Sequence, residues 1–369
     1  MSEPSDFAAG HSWLDRALHR FAFATTWAQR GSADLELRMF RRELDAVDLG
    51  PPVLITALPR AGTTILLELL AGAAPFASHT YRDMPFVLCP MLWSRMSRRF
   101  QRDDAPRERA HGDGIQITHD SPEAFEEVIW RRFWPKHYRQ DRIAPWTSCD
   151  DREFVEFYVA NMRKVVALRA RDKATARRYV AKNNLNVARI PAVLDALARA
   201  DEQAVHGAVA LVPFREPVQH VASLLNQHQR FLQMHEDPFA RRYMRDIGHF
   251  DFGANLLPVD FGGWLDRPGA ARDATQLAFW LDYWIATYQH VLAHAQRDDV
   301  HLVCFEQLGA VDVAPLAKCL GLDDPTELRQ RSSMLKPPKP RDIDVSGLDA
   351  GRLREARDLY YAMCVAALQ

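Results

Sequence analysis

The sequence predicts an α/β fold: a mainly parallel central sheet in a three-layer sandwich with helices on both faces. Three observations carry the prediction. Short apolar, β-branched runs recur at 53–58, 179–181, 208–214 and 300–305. Stretches with apolar residues at helical spacing separate them, so strands and helices alternate along the chain. The runs are apolar throughout instead of alternating with polar residues, as expected of strands buried on both faces of a parallel sheet.

Taken in order, residues 1–50 read as a helical N-terminal extension. Leu14, Leu18, Phe21 and Phe23, then Leu35, Leu37, Phe40 and Leu44, mark two amphipathic helices, and Pro51-Pro52 stops them. The strand at 53–58 leads through a short loop into helical spacing at Ile65, Leu66, Leu69 and Leu70, which ends near Gly72. Residues 84–178 read as a mostly helical insertion rich in aromatics (Trp93, Phe100, Trp130, Phe133, Trp134, Trp146). Helices are expected at 190–200, after Pro217, at 276–294 and at 314–320. Residues 51–369 form the main domain.

Composition narrows the function. The 369 residues carry 47 Lys+Arg against 48 Asp+Glu, a net charge of −1 that argues against a polyanion-binding surface, so no nucleic-acid partner is expected. The basic runs at 95–109 and 163–178 read as solvated faces. No apolar run approaches the ~20 residues of a membrane span, and the first residues lack a secretory pattern. The cysteines (Cys89, Cys149, Cys304, Cys319, Cys364) are scattered and form no CxxC pair, which fits free thiols and a cytoplasmic location. His290 and His294 share a helix face but lack the glutamate of HExxH, so no metal site is expected.

The chemistry begins at 59–64, Pro-Arg-Ala-Gly-Thr-Thr, between the first strand and its helix. A strand, a loop of small residues and a helix N-terminus together hold phosphate, because unpaired amides and the helix dipole converge there. Gly62 allows close backbone approach, and the Thr63 and Thr64 hydroxyls can donate. Set against GxxxxGK[ST], Ala57 replaces the first glycine and Thr63 the lysine. That disfavours an ordinary ATP- or GTP-hydrolysing loop, and the cation sits at Arg60 instead.

PRAGTT after a buried strand resembles the 5′-phosphosulfate loop of sulfotransferases that use 3′-phosphoadenosine 5′-phosphosulfate (PAPS), closest to the bacterial and tyrosylprotein branch. The resemblance implies a P-loop-like fold and assigns Arg60, Ala61, Gly62, Thr63 and Thr64 to the 5′ side of the nucleotide. Arg215 and Ser223 are similar to the family's RxPxxxxxS element, which holds the 3′-phosphate. Lys182 resembles the strand-end lysine that reaches the transferring sulfonate. Asn184 stands where cytosolic members keep a catalytic histidine, so the base must lie elsewhere. The segment after the first helix supplies it in related enzymes; here that leaves Asp83, with His79 as alternative and His119-Asp120 as a third choice. Phe305 resembles the aromatic bordering the adenine, and Ser332 and Lys336 fall in a loop like the one that folds over the nucleotide. The insertion at 84–178 would be the lid over the acceptor.

The resemblance therefore implies transfer of a sulfonate from PAPS to a hydroxyl or amine, without a metal. A small molecule, a glycan or a lipid all remain open as acceptor, as does the oligomeric state. A degenerate P-loop kinase or NTPase and a non-catalytic nucleotide-binding protein are the rival readings.

Overall fold

The computed structural model describes residues 13–24, 26–97, 107–108, 116–200, 205–307, 313–333 and 340–367. Its strands are β1 (Gly50–Ile55), β2 (Phe76–Ala77), β3 (Arg107–Glu108), β4 (Gln116–Ile117), β5 (Arg178–Lys182), β6 (Val209–Phe214) and β7 (Val300–Cys304). Five of them form one sheet in the order β2-β5-β1-β6-β7, every pairing parallel; β3 and β4 pair antiparallel by themselves. Lys182 lies opposite Ile55, Ile55 opposite Leu211, and Phe214 opposite Cys304, which brings the carboxyl ends of β5, β1, β6 and β7 to one edge. The chain leaves central β1 toward β2 and β5, then crosses back to β6 and β7. An open α/β sheet offers its ligand crevice at such a reversal, outside the carboxyl ends of the strands.

The strand β1 starts and stops earlier than the apolar run. It takes in Pro51-Pro52, where the pairing with β5 shifts register between Gly50 and Val53, so the missing amides cost no ladder bond. Beyond Ile55 the chain turns away, held by Thr56 N donating to Leu211 O (3.0 Å) and Thr56 Oγ1 donating to Asn184 O (3.0 Å).

Among the described residues the N-terminal region forms α1 (Trp13–Ala24), α2 (Thr26–Met39) and α3 (Arg41–Asp45), with a break at Phe40. After β1 come α4 (Thr63–Gly72), α5 (Pro90–Ser97), α6 (Glu127–Phe133) and α7 (Arg152–Ala170). The described residues of 84–178 are thus less helical than expected. Arg189, fully buried, lies over Trp130 (3.9 Å) and Trp146 (4.7 Å), ordering the irregular chain at 134–151. Within the expected lid, α7 is a core element: it packs on β2 and β5, and Phe154, Tyr158, Met162 and Val165 are buried. Packing also crosses residue 50, since Phe40 and Leu44 cluster with Met91, Ala167 and Leu168. Glu36 of α2 and Lys164 of α7 form a buried ion pair at 2.8 Å.

The second half adds α8 (Ile190–Ala198), α9 (Pro217–Met234), α10 (Pro238–Asp246), α11 (Leu277–His294), α12 (Ala314–Cys319), α13 (Thr326–Ser332) and α14 (Ala350–Ala366). Glu216 caps α9 by accepting from Gln219 N (2.8 Å), with Pro217 in the first turn. Trp280, Trp284 and Tyr288 of α11 are fully buried. No helix among the described residues is long and apolar enough to cross a membrane.

Candidate functional site

The loop after β1 is shaped by its backbone. Arg60 has φ 68°, a left-handed conformation that costs a side-chain-bearing residue about 1 kcal/mol or more. Its Nε donates to Ser223 Oγ at 3.4 Å. His220 Nε2 donates to Pro59 O (2.8 Å), and Trp284 Nε1 donates to His220 Nδ1 (3.1 Å). Because tryptophan can only donate, Nδ1 must accept and Nε2 carries the hydrogen. Burial, reinforced by the charges of Arg215 and Arg60, drives the His220 pKa down to about 3 despite the bond to Pro59, so the ring is neutral.

Gly62 has φ 97°, and a Cβ there would stand 2.3 Å from a Phe305 ring carbon. Only glycine fits. Ala61 is fully buried, so its contribution is backbone. Thr63 is buried and donates from Oγ1 to Asn184 Oδ1 (3.2 Å); Thr64 is partly exposed. Helix α4 starts at Thr63, and its first-turn amides have no partner within the helix.

Beside the loop, Arg215 leaves the end of β6 with 16% of its side chain exposed and Nε 3.9 Å from Glu306 Oε1. That Nε is buried and makes no hydrogen bond among the described residues. The Arg215 guanidinium lies over the Phe305 ring at 5.2 Å, so Phe305 has one face covered and an edge against Gly62. The expected open stacking surface for an adenine is correspondingly reduced. Burial pushes the Arg215 pKa down; Glu306 opposes this, while Arg60 and Arg341 add to it by repulsion. Arg341 was not singled out from sequence. Its backbone is tied to Gln219 at the start of α9, donating to Oε1 (2.9 Å) and accepting from Nε2 (2.7 Å).

Ser332, expected over the nucleotide, falls elsewhere. Ser332 ends α13, with its hydroxyl donating to Arg329 O (3.0 Å) inside the helix. Its neighbour Arg331 lies against Gly72, at the end of α4 remote from the loop, and a ten-residue helix spans ~15 Å. Lys336 lies outside the described residues.

On the other side of the loop, Lys182 ends β5 and is 8% exposed. Asn184, besides accepting from Thr63, donates through Nδ2 to Asp251 Oδ2 (3.0 Å). Asp251 Oδ2 stands 3.8 Å from His249 Nε2, and the His249 ring stacks on Phe231 with centroids 4.8 Å apart. Burial lowers the His249 pKa; Asp251 and Glu123 oppose that shift and Lys182 adds to it. His249 and Asp251 went unnoticed in the sequence, where the only signal was a histidine and an aspartate two apart in an aromatic stretch.

The expected base is differently placed. Asp83 and His79 are buried, with their side chains engaged by each other and by neighbouring groups. Asp83 Oδ1 and Oδ2 accept from Arg169 Nη2 (2.8 and 2.7 Å), and Oδ2 also accepts from Thr80 N (3.1 Å). His79 Nδ1 lies 2.9 Å from Asp83 Oδ2, and Nε2 lies 3.0 Å from Asn161 Nδ2. Burial alone would raise the Asp83 pKa, but the Arg169 charge and the His79 hydrogen bond hold it at about 2. Such a carboxylate is a weak proton acceptor with no free oxygen. Asp120, the third choice, is an exposed partner of Arg82 (Nη2 to Oδ2, 2.7 Å). The described residues hold no cluster of His, Cys, Asp and Glu arranged for a metal ion.

No family model matches the chain, and no curated protein matches it. Solved structures similar to it include the sulfotransferase STF1 of Mycobacterium tuberculosis H37Rv, 15% identical over 94% of this chain and 87% of that one, TM-score 0.47. The sulfotransferase STF9 of Mycobacterium avium is 14% identical over 90% and 80%, TM-score 0.46. The sulfotransferase domain from the curacin biosynthetic pathway is 12% identical over 85% and 98%, TM-score 0.35.

Proposed function

We propose that this protein is a PAPS-dependent sulfotransferase acting on a hydroxyl or amine acceptor. One observation carries the reading: two positions suited to an anion, of different construction, meet at adjacent strand ends and are linked through Arg60 and Ser223. One is the backbone cradle opened by Gly62 and the start of α4; the other is the desolvated Arg215 guanidinium. Neighbouring strands are ~4.8 Å apart, so Lys182, the loop and Arg215 span about 10 Å. A nucleotide with phosphates at both 5′ and 3′ positions satisfies both sites. A nucleotide with a single 5′ chain leaves Arg215, repelled by Arg60 and Arg341, without its anion.

PAPS would supply the sulfonate. Residues 62–64 would hold the 5′-phosphate through amides and hydroxyls, and Arg215 with Ser223 the 3′-phosphate. Arg341 would add positive charge beside Arg215. Lys182 and Arg60 would meet the charge that grows on the leaving phosphate oxygen, so their contribution should be larger in the transition state than in the bound state. The Asp83 cluster ties α7 to the segment 78–83 that follows β2, and this reading gives it no role in the transfer.

The experiment is transfer from radiolabelled PAPS to a panel of phenols, amines, glycans and lipids, read as labelled product together with 3′-phosphoadenosine 5′-phosphate (PAP). Product formation that Lys182→Ala abolishes supports the reading. Tighter binding of ATP with magnesium than of PAP would favour a nucleotide kinase or NTPase instead.

A further inference from the structure

We infer that His249, with Asp251 beside it, is the general base that removes the proton from the acceptor. The inference rests on the sulfonate-transfer reading. An acceptor hydroxyl must lose its proton as its oxygen bonds to sulfur and the bond from sulfur to the phosphate oxygen breaks. The electron pair of that broken bond leaves on PAP, and the proton goes to His249 Nε2.

The pair neighbours the end of β5, close enough to Lys182 for its charge to act on the His249 ring. A continuous chain of side chains joins it to the phosphate loop: Thr63 to Asn184 at 3.2 Å, Asn184 to Asp251 at 3.0 Å, and Asp251 to His249 at 3.8 Å. The last separation is too long for a hydrogen bond and short enough for the carboxylate to stabilise an imidazolium. Asn184 cannot accept a proton itself, but it orients the carboxylate that faces the histidine.

The segment is built to hold this geometry. His249 N donates to Met244 O (2.8 Å), Gly253 N to His228 Nδ1 (3.1 Å) and Ala254 N to His235 Nδ1 (3.1 Å), so His228 of α9 and His235 just after it pin the turn. The stack on Phe231 sets the ring plane, and 14% of the side chain stays exposed. The ionisable groups that face the ring are Asp251, Glu123, Lys182 and His235. With burial lowering its proton affinity, the ring is neutral near pH 7, ready to take a proton beside the carboxylate that stabilises the cation.

Two measurements test this. Labelled-histidine NMR of the full chain follows the His249 titration without any acceptor. Asp251→Asn should lower its pKa, because the carboxylate raises it, and Lys182→Met should raise it, because the ammonium lowers it. An unmoved titration in both variants overturns the pairing. For turnover with a PAPS-dependent acceptor, His249→Gln should lower kcat ~10²–10⁴-fold at unchanged PAP affinity and melting temperature, and should remove the fall in rate below the His249 pKa. Near-normal kcat in a stable His249→Gln, or a deeper loss in Asp251→Asn than in His249→Gln, overturns the role. A wild-type protein that neither binds PAP nor transfers sulfonate defeats the sulfotransferase reading, while the effect of Asp251 on the His249 titration would stand.

Discussion

Two arginines in this molecule meet opposite fates. Arg169 reaches from α7 into a closed circle in which Asp83, Thr80 and the Ser78 carbonyl take up its hydrogens. Arg215 is as deeply placed, yet its Nε makes no hydrogen bond among the described residues, and the charges of Arg60 and Arg341 press on it. Both are costly to bury. The first is matched by hydrogen bonds inside the protein and belongs to the scaffold; the second has Glu306 only at 3.9 Å from its Nε, and the proposed function assigns the rest of its compensation to a bound anion. The partners of a buried charge, more than its burial, separate structure from function.

The largest expected effect breaks the scaffold side. Arg169→Ala leaves Asp83 buried without its cation, a loss of about 3–5 kcal/mol that chemical denaturation should register. Asp83→Asn should also melt lower, with turnover per folded molecule unchanged; a stable Asp83→Asn with collapsed turnover would return the base to Asp83.

Acidification should separate the two regions in order. The His220 pKa is about 3 when folded against 6.5, so the unfolded chain takes the proton first. Its contribution is complete above pH 6.5 and is lost as pH falls toward 3, at about 1.4 kcal/mol per unit. Asp83, held at about 2 against 3.8, loses its contribution only below 3.8. Hydrogen exchange near pH 5 should therefore show the loop at 59–64 loosening before α7 and the Asp83 segment.

Within the crevice, Lys182→Ala should cut turnover more than 10²-fold while PAP affinity moves little, because its contact strengthens as charge develops. Saturated turnover equal to wild type would remove Lys182 from the chemistry. The smallest effect is Ser223→Ala: one hydrogen bond to Arg60 is worth about 0.5–1.5 kcal/mol, which titration calorimetry with PAP resolves.

Much of this was legible from the chain. Apolar runs marked four of the five sheet strands; β2, only two residues long, was invisible because so short a stretch carries no periodicity. The loop at 59–64 could be placed between the first strand and its helix, and Arg215 at the end of β6, because the apolar runs and helix spacing around them are local. The surroundings of Asp83 could not be read because its partner Arg169 is 86 residues away, and nothing local shows that the two meet. His249, Asp251 and Arg341 were missed for the same reason: they acquire meaning from Asn184, Lys182 and Gln219, far along the chain. Side chains whose roles come from the tertiary neighbourhood leave no sequence pattern.

The central claim is that Arg215 awaits a second phosphate, and calorimetric titration of wild type and Arg215→Ala with PAP and with 5′-AMP tests it most directly. PAP should bind wild type far more tightly than 5′-AMP, and Arg215→Ala should weaken PAP by about 1.5–3 kcal/mol, roughly 10–150-fold, while leaving 5′-AMP unchanged. Equal affinities of the two nucleotides for wild type, or equal losses of both in Arg215→Ala, would contradict the account.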